Sequence, residues 1–277
     1  MNNQFLAFPD IFLEALYDLF YTYAMTLAFA MARISAVIQI FPLFTTVNVR
    51  GTTRAVLSFA LAVPIVPSLR PEVTAIMAGP VLEVGVLLAK EFLFGIVLGG
   101  LLAIPFWGIQ SAGDLIDSNR GASATNQTDP VNANEQSQVG FIFNFAALAV
   151  FVVMGGLQVV ILLIYESYAV IRVGRFLPVP GPELAATLGM MLNKMLLIGI
   201  VVGGPLLIVL AVTDIALAFA SRIAKQIPVN DFSGIIKNLA TAAFIPLYSI
   251  FLSQYMIKDW SSIMTVIKDF LGIKIGG

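Results

Sequence analysis

The uncharged stretch FLFGIVLGGLLAIPFWGIQSAG, residues 92–113, decides the fold class of this chain. At ~1.5 Å of rise per residue, a helix of this length crosses the ~30 Å apolar core of a lipid bilayer. A second uncharged run covers residues 136–165. The segment between the two runs, residues 113–138, is rich in small and hydrogen-bonding side chains. This pattern predicts either a water-facing loop between two membrane helices or a segment folded into a protein-lined pore.

The composition of the whole chain indicates an integral membrane protein. Of the 277 residues, 59% are hydrophobic and only 11% are charged, whereas soluble domains carry about 25% charged residues. The formal net charge of −1 gives no electrostatic reason to expect nucleic-acid binding. No polar stretch is long enough to fold separately, so we predict a single membrane domain in contact with lipids.

Cysteine and histidine are both absent from the sequence. Thiol nucleophiles, disulfides, zinc-type ligand sets and imidazole acid–base chemistry are therefore excluded. Asp114 and Asp117 lie one helical turn apart and could form a carboxylate pair for acid–base work. However, Arg120 offsets their charge, and no nucleophile motif, phosphate loop or metal-ligand spacing accompanies them. We predict a protein that has no cofactor, no bound metal and no enzymatic activity.

Further apolar runs predict an all-α membrane protein built of helical hairpins with broken helices. These runs cover residues 19–48, 55–69, 195–213 and 238–257. Pro64 and Pro67 interrupt one run, because proline has no backbone N–H to donate within a helix. No run shows the even alternation of a membrane β-barrel strand. Basic side chains do not alternate cleanly between successive loops, so some hairpins need not span the bilayer fully.

Several ionisable side chains interrupt the apolar runs, and such groups are functional candidates in a membrane protein. They are Arg33, Glu83, Lys90, Glu91, Lys194 and Asp214. Adjacent helical residues project about 100° apart, so we predict that Lys90 and Glu91 do not simply neutralise each other. Two interpretations stay open at this point: coupling residues of an ion-driven transporter, or structural charges that pair with partner subunits or sit at helix ends.

Three short motifs give the chain a family resemblance. They are Lys90-Glu91-Phe92 followed by Gly95, then Pro105-Phe106-Trp107, then Asp117-Ser118-Asn119-Arg120-Gly121. In this order they resemble the FliR/SctT family, the R protein of the flagellar export apparatus and its counterpart in type III secretion injectisomes. The acidic-x-x-Arg-Gly pattern after a Pro-Phe-Trp helix is most similar to the injectisome branch.

The resemblance implies a fusion of two kinds of subunit. Residues 1–177 would form a P/R-subunit-like helical region. Residues 178–277 would form a Q/S-subunit-like hairpin with an amphipathic tail, because Gly203-Gly204-Pro205, Asp214 and the polar hinge after it are similar to the small S/Q subunit. The proline-rich connector Pro178–Pro182 falls near this junction, and composition independently marks it as an internal boundary.

The resemblance also implies a function for the polar segment. Residues 113–138 would be a plug loop that faces the pore of an export gate, where protein and water can satisfy irregular backbone at membrane depth. The predicted pore residues are Asp114, Asp117, Asn119, Arg120, Gly121, Ser123 and Asn126. Among them, Asp117 and Arg120 would hold the closed state by hydrogen bonds, and Gly121 would be the hinge.

The sequence therefore predicts a core subunit of the type III secretion export gate, multi-pass in the bacterial inner membrane within the secretion base. The expected partners are P/R-type and Q/S-type export subunits, other secretion-base proteins and unfolded secreted polypeptides. The alternative is a proton- or ion-coupled secondary transporter that uses Asp214, Glu83 or Lys194 near the membrane midplane.

Overall fold

The structure is a computed structural model that describes residues 8–47, 49–120, 137–176, 182–223 and 229–271. Every regular element within these residues is helical, which confirms the prediction of an all-α protein. Residues 178–181 of the predicted proline-rich connector lie outside the described residues.

The helices differ widely in length, from one turn to more than ten. In chain order they are α1 (Phe8–Ile40), α2 (Pro42–Thr46), α3 (Gly51–Ala62), α4 (Val66–Met77), α5 (Val81–Arg120), α6 (Gln138–Val153), α7 (Gly156–Val170), α8 (Pro182–Ile223) and α9 (Val229–Leu271). A short 3₁₀ turn, Val63–Ile65, joins α3 to α4.

Four helical segments of the described chain are long and apolar enough to cross a membrane, and the number rises to six if each of two bent helix pairs counts as a span. The four are Leu16–Ile40, Gly51–Met77, Val81–Arg120 and Leu192–Ile223. The protein is therefore a multi-pass membrane protein. These segments differ in burial. In the most apolar 18 residues of Val81–Arg120, 67% are buried within the protein, whereas in those of Leu192–Ile223 only 33% are.

Two helical segments are interrupted, and each interruption has a local cause; the sequence predicts the first of them, at Pro64 and Pro67. Pro64 lies in the first residues of the 3₁₀ turn and Pro67 in the first residues of α4, positions where a missing N–H costs no helical hydrogen bond. Helices α6 and α7 meet at an angle of 77°. Gly155 forms this bend with a φ of +75°, a left-handed conformation that glycine adopts without steric cost.

The described residues divide into two compact units. The first unit is drawn from the described parts of residues 1–101 and 160–181, and the second from the described parts of residues 102–159 and 182–270. This division differs from a split at the connector, because the sequence of α5 contributes residues to both units. The assignment of residues 1–177 and 178–277 to two kinds of ancestral subunit stays a prediction.

Each unit has its own apolar core. In the first unit it includes Phe29, Ile34, Leu87, Leu98 and Leu163, and in the second Phe106, Ile109, Ile116, Val202 and Leu206, all of them at most 1% exposed. Burying a side chain of this size contributes about 1.5–3 kcal/mol. The rings of Phe106 and Phe151 add an edge-to-face contact with centroids 5.3 Å apart.

Candidate functional site

Helix α5 continues to Arg120, and this corrects the predicted start of the polar loop at residue 113. Polar side chains of the last turn donate back to the helix itself. Ser118 Oγ and Asn119 Nδ2 each donate to the carbonyl oxygen of Leu115, both at 2.8 Å. Arg120 also places a positive charge at the negative end of the helix dipole. Helix α6 begins at Gln138, so the polar segment between the helices is shorter than predicted.

Four residues in the second unit join the end of α5 to the start of α6, and we call them the Asp117 clasp: Asp117, Arg120, Ser137 and Val139. The Asp117 carboxylate is 4% exposed. Its Oδ2 accepts hydrogen bonds from Ser137 Oγ at 2.5 Å and from the backbone N–H of Val139 at 2.9 Å. Its Oδ1 accepts from Arg120 Nη2 and forms an ion pair with it. One carboxylate thus holds residues on both sides of the segment 121–136.

Ser137 has two roles in the clasp. It is the N-cap residue of α6, where its hydroxyl accepts a hydrogen bond from the backbone N–H of Gly140 at 2.9 Å and donates its own hydrogen to Asp117. A serine before an apolar run is a typical helix start, so the sequence carried a signal for this residue, although its contact with Asp117 was not predicted.

The two helices touch backbone to backbone beside the clasp. A side-chain carbon at Gly113 would overlap the backbone N and Cα of Gly140. Glycine at both positions therefore sets the distance between α5 and α6, and this distance allows the Asp117 carboxylate to reach the first turn of α6.

Not all of the predicted pore residues take part in the clasp. Asp117 and Arg120 do. Asp114 and Asn119 are exposed on the same helix, and Asp114 also lies within hydrogen-bonding reach of Ser137. Gly121, Ser123 and Asn126 lie outside the described residues. Asp114 and Asp117 differ in surroundings, one exposed and one buried, and Asp117 is fully engaged by its hydrogen-bond donors. Within the described residues, no three carboxylates group in a way that could hold a metal ion.

The Pro-Phe-Trp motif lies inside α5, in the second unit. Pro105 and Phe106 are buried, whereas 37% of Trp107 is exposed. The helix runs through Pro105 without ending. Phe106 therefore packs in the core of the second unit, and Trp107 exposes part of its aromatic ring on the surface of α5.

The first unit contains a buried charge cluster formed by Arg33, Lys90 and Glu91. Arg33 and Glu91 are fully buried and Lys90 is 6% exposed. Glu91 Oε2 lies 2.6 Å from Arg33 Nη2, and Glu91 Oε1 lies 2.5 Å from Lys90 Nζ. The prediction that Lys90 and Glu91 do not neutralise each other was wrong, because the flexible lysine side chain bends back to its neighbour. Three of the charges flagged in the sequence thus pair within the chain.

Helix α7 closes the charge cluster. Ser167 Oγ accepts a hydrogen bond from Arg33 Nη1 at 2.9 Å, and Arg33 Nη2 donates to the carbonyl of Ile171 at 2.9 Å. The guanidinium carbon lies 4.0 Å from the ring centroid of Tyr168 and 4.7 Å from that of Phe94, which adds cation–π attraction. Nothing in the sequence identified Ser167 or Tyr168, because their relation to Arg33 exists only in the folded chain.

The remaining predicted charges lie apart from both groups. Glu83 is half-buried in the first turn of α5, where the helix dipole favours an acid. Lys194 is half-buried on α8. Asp214 is exposed on α8, and its Oδ1 lies 2.6 Å from Nζ of Lys237 on α9. Lys237 also donates to the backbone carbonyl of Asn119 at 3.1 Å.

Replacing Asp117 by alanine will loosen the junction of α5 and α6. Ser137, Val139 and Arg120 each lose a charged acceptor, and hydrogen bonds to charged groups contribute about 1.5–3 kcal/mol each. We expect the amides of Val139 and Gly140 to exchange with solvent deuterium at least tenfold faster. Ser118→Ala, which removes one exposed hydroxyl in the same turn, is the control. Equal exchange in both variants would contradict the importance of the clasp.

Residues 24–263 match the family model described as bacterial export proteins, family 1. The chain is 25% identical to Yop proteins translocation protein T of Yersinia pestis over 189 residues, which are 68% of this chain and 71% of that protein. It is 26% identical to surface presentation of antigens protein SpaR of Salmonella typhimurium over 84% of this chain and 86% of the relative. It is 30% identical to flagellar biosynthetic protein FliR of Bacillus subtilis over 71% of this chain and 75% of that protein.

Proposed function

This chain belongs to the bacterial export proteins, family 1, and from this premise we propose that it is a non-enzymatic subunit of a hetero-oligomeric gate for unfolded polypeptides. The family match and the apolar helices place the chain in the bacterial inner membrane as part of a protein export apparatus. Its relatives are named for translocation, secretion and flagellar biosynthesis. The observation that carries the proposal is the match over residues 24–263.

An exposed apolar stripe on α8 supports assembly with other membrane subunits. Its members are Leu192, Leu196, Ile200, Ile208, Val212, Ile215 and Phe219, each 58–66% exposed. Within each of the groups 192–200 and 208–219, the spacing of three or four residues puts the side chains on one face of the helix, and the exposed apolar surface turns around α8 between the two groups. A face of this kind needs cover from lipid or protein. We propose P/R-type and Q/S-type export subunits as the protein neighbours of this chain.

The Asp117 clasp supports a role for the polar segment in the gate. Its contacts bind residues on both sides of the segment 121–136 to the ends of two packed helices. The predicted plug residues Gly121, Ser123 and Asn126 follow directly from this anchored end of α5. The plug function of the segment stays a proposal that rests on the family resemblance.

The transporter alternative is not favoured. The family comparison supports protein export, and Asp214, its best candidate for proton coupling, is exposed and paired with Lys237.

Affinity purification of the tagged chain from bacterial inner membranes tests the proposal. We expect P/R-type and Q/S-type subunits to copurify in fixed ratio, and we expect secretion to stop when the gene is deleted. Removal of residues 121–126 is expected to leave the complex assembled but to raise ion conductance across the membrane. Solute uptake by the purified chain alone in liposomes, without copurifying subunits, would instead support the transporter.

A further inference from the structure

We infer that the backbone after α7 forms a site for one ammonium-type monovalent cation and that Lys90 Nζ is its built-in occupant. The ammonium donates to the carbonyl oxygens of Arg172, Val173 and Arg175, each at 3.0 Å. An ammonium has three hydrogens, and here three carbonyls converge on one nitrogen. We call residues 172–175 with these carbonyls the oxygen cage. All of its contacts with Lys90 lie within the first unit.

The contact with Glu91 differs in kind from the contacts with the cage. Glu91 Oε1 lies 2.5 Å from Lys90 Nζ, yet this oxygen is buried without a hydrogen-bond partner of acceptable geometry. The three carbonyls equal the ammonium hydrogens in number. Glu91 therefore attracts Lys90 by charge, while the cage fixes where the ammonium sits.

The cage carbonyls lie beyond the end of helix α7, where they need hydrogen-bond donors from outside the helix. Helix α7 ends at Val170, so these carbonyls lie beyond its helical hydrogen bonds, and among them the carbonyl of Arg172 also accepts from the backbone N–H of Arg175 at 3.3 Å. Val173 is fully buried, so water is not available to replace a partner there, and an unpaired buried carbonyl is costly. The negative end of the helix dipole favours a positive charge at the same place.

The charges of the buried cluster also indicate that backbone carbonyls take part in holding Lys90. Arg33 and Lys90 carry two positive charges, and Glu91 is the carboxylate that contacts both of them, while Glu72 acts on Lys90 from further away. Backbone oxygen compensates part of this charge, because Arg33 also donates to the carbonyl of Ile171. Two cations thus hold residues 171–175, the segment that precedes the connector to α8.

The geometry requires lysine and not merely a positive charge. A lysine ammonium is a compact point charge with three hydrogens, whereas arginine presents a planar fork that suits carboxylates. Lys90→Arg keeps the charge and the attraction to Glu91 but cannot direct three hydrogens to carbonyls that converge on one point. An arginine variant therefore separates the oxygen cage from the ion pair.

Thermal denaturation of the detergent-extracted export complex tests the inference. The fraction of intact complex is followed on native gels as temperature rises, and its midpoint temperature is compared between variants. We expect Lys90→Ala and Lys90→Arg each to lower the midpoint by on the order of 5 °C or more. Added n-propylammonium, which replaces the atoms missing in Lys90→Ala, should restore at least half of that loss. Tetramethylammonium, which has no N–H, should restore none. Arg222→Ala, which removes an exposed cation at the end of α8, is the matched control and should melt like wild type.

Two results would overturn the inference: a Lys90→Arg complex as stable as wild type, or equal rescue of Lys90→Ala by both amines. If Lys90→Ala yields too little complex to melt, the amount of Lys90→Arg in the membrane decides the question. We expect that amount to fall several-fold, because small losses of stability are amplified by cellular proteolysis. An amount equal to wild type would contradict the cage.

Discussion

Replacing Glu91 by glutamine is expected to remove most of the folded protein from the membrane. The substitution keeps the shape of the side chain but removes the carboxylate charge that contacts the buried cations Arg33 and Lys90. Breaking a buried ion pair by removing one partner costs about 3–5 kcal/mol. Whole domains are stable by only about 5–15 kcal/mol, so we expect membrane abundance to fall at least several-fold.

Glu83→Gln is the matched control for this experiment, since Glu83 belongs to the same helix but lies half-buried in its first turn. There the loss is limited to the interaction with the helix dipole, about 0.3–1 kcal/mol. Immunoblots of membrane fractions compare the two variants. A double variant, Glu91→Leu with Arg33→Met, should recover part of the abundance because one uncompensated cation is gone. If Glu91→Gln accumulates like wild type, the buried pair is not needed for folding.

Replacing Gly113 by valine is expected to separate α5 from α6 and to abolish export. A carbon added at Gly113 would overlap backbone atoms of Gly140 and lie 2.6 Å from the backbone carbon of Val139. Backbone cannot rotate away as a side chain can, so the helices must move apart. Overpacking of this kind costs about 1–3 kcal/mol or more, and the movement also draws Asp117 away from Ser137 and Val139.

Alanine substitutions give the sharpest control for the glycine contact. Gly100 lies on the same helix, and a carbon added there meets nothing within 4 Å. Gly100→Ala should therefore gain stability by about 0.5–1 kcal/mol from helix propensity, while Gly113→Ala should lose stability. Thermal melting of the extracted complex and a secretion assay compare the two. Gly113→Ala melting at or above the temperature of Gly100→Ala would contradict the close contact.

The Asp117 clasp shows how far sequence reasoning can reach toward a site. The three-residue spacing of Asp117 and Arg120 made them a plausible pair, and the structure joins them. The sequence predicts a loop from residue 113 because small polar residues are typical of loops, whereas α5 continues to Arg120. In the folded chain, Ser118 and Asn119 donate to the carbonyl of Leu115 within the helix and Arg120 pairs with Asp117, an arrangement that composition does not indicate. Ser137 had a helix-start signal, but the signal did not say which residue it would meet.

Lys90 shows where sequence reasoning stops. Its three hydrogen-bond acceptors are backbone carbonyls, which every residue type carries, so no side-chain motif marks the oxygen cage. Ideal helix directions also predict that Lys90 and Glu91 point apart. The ion pair between them forms because the lysine side chain is flexible enough to bend back to its neighbour.

The sequence by itself determined that the chain is an all-α membrane protein of an export family. Hydrophobic run length, proline breaks and motif order are local properties, and they can be read without coordinates. Only the tertiary structure decided how the charges are used. Arg33 meets partners 58, 134 and 138 residues further along the chain. Charges buried at such separations are stable only where folding brings matching atoms within hydrogen-bond distance, and that distance is a property of packing, not of sequence order.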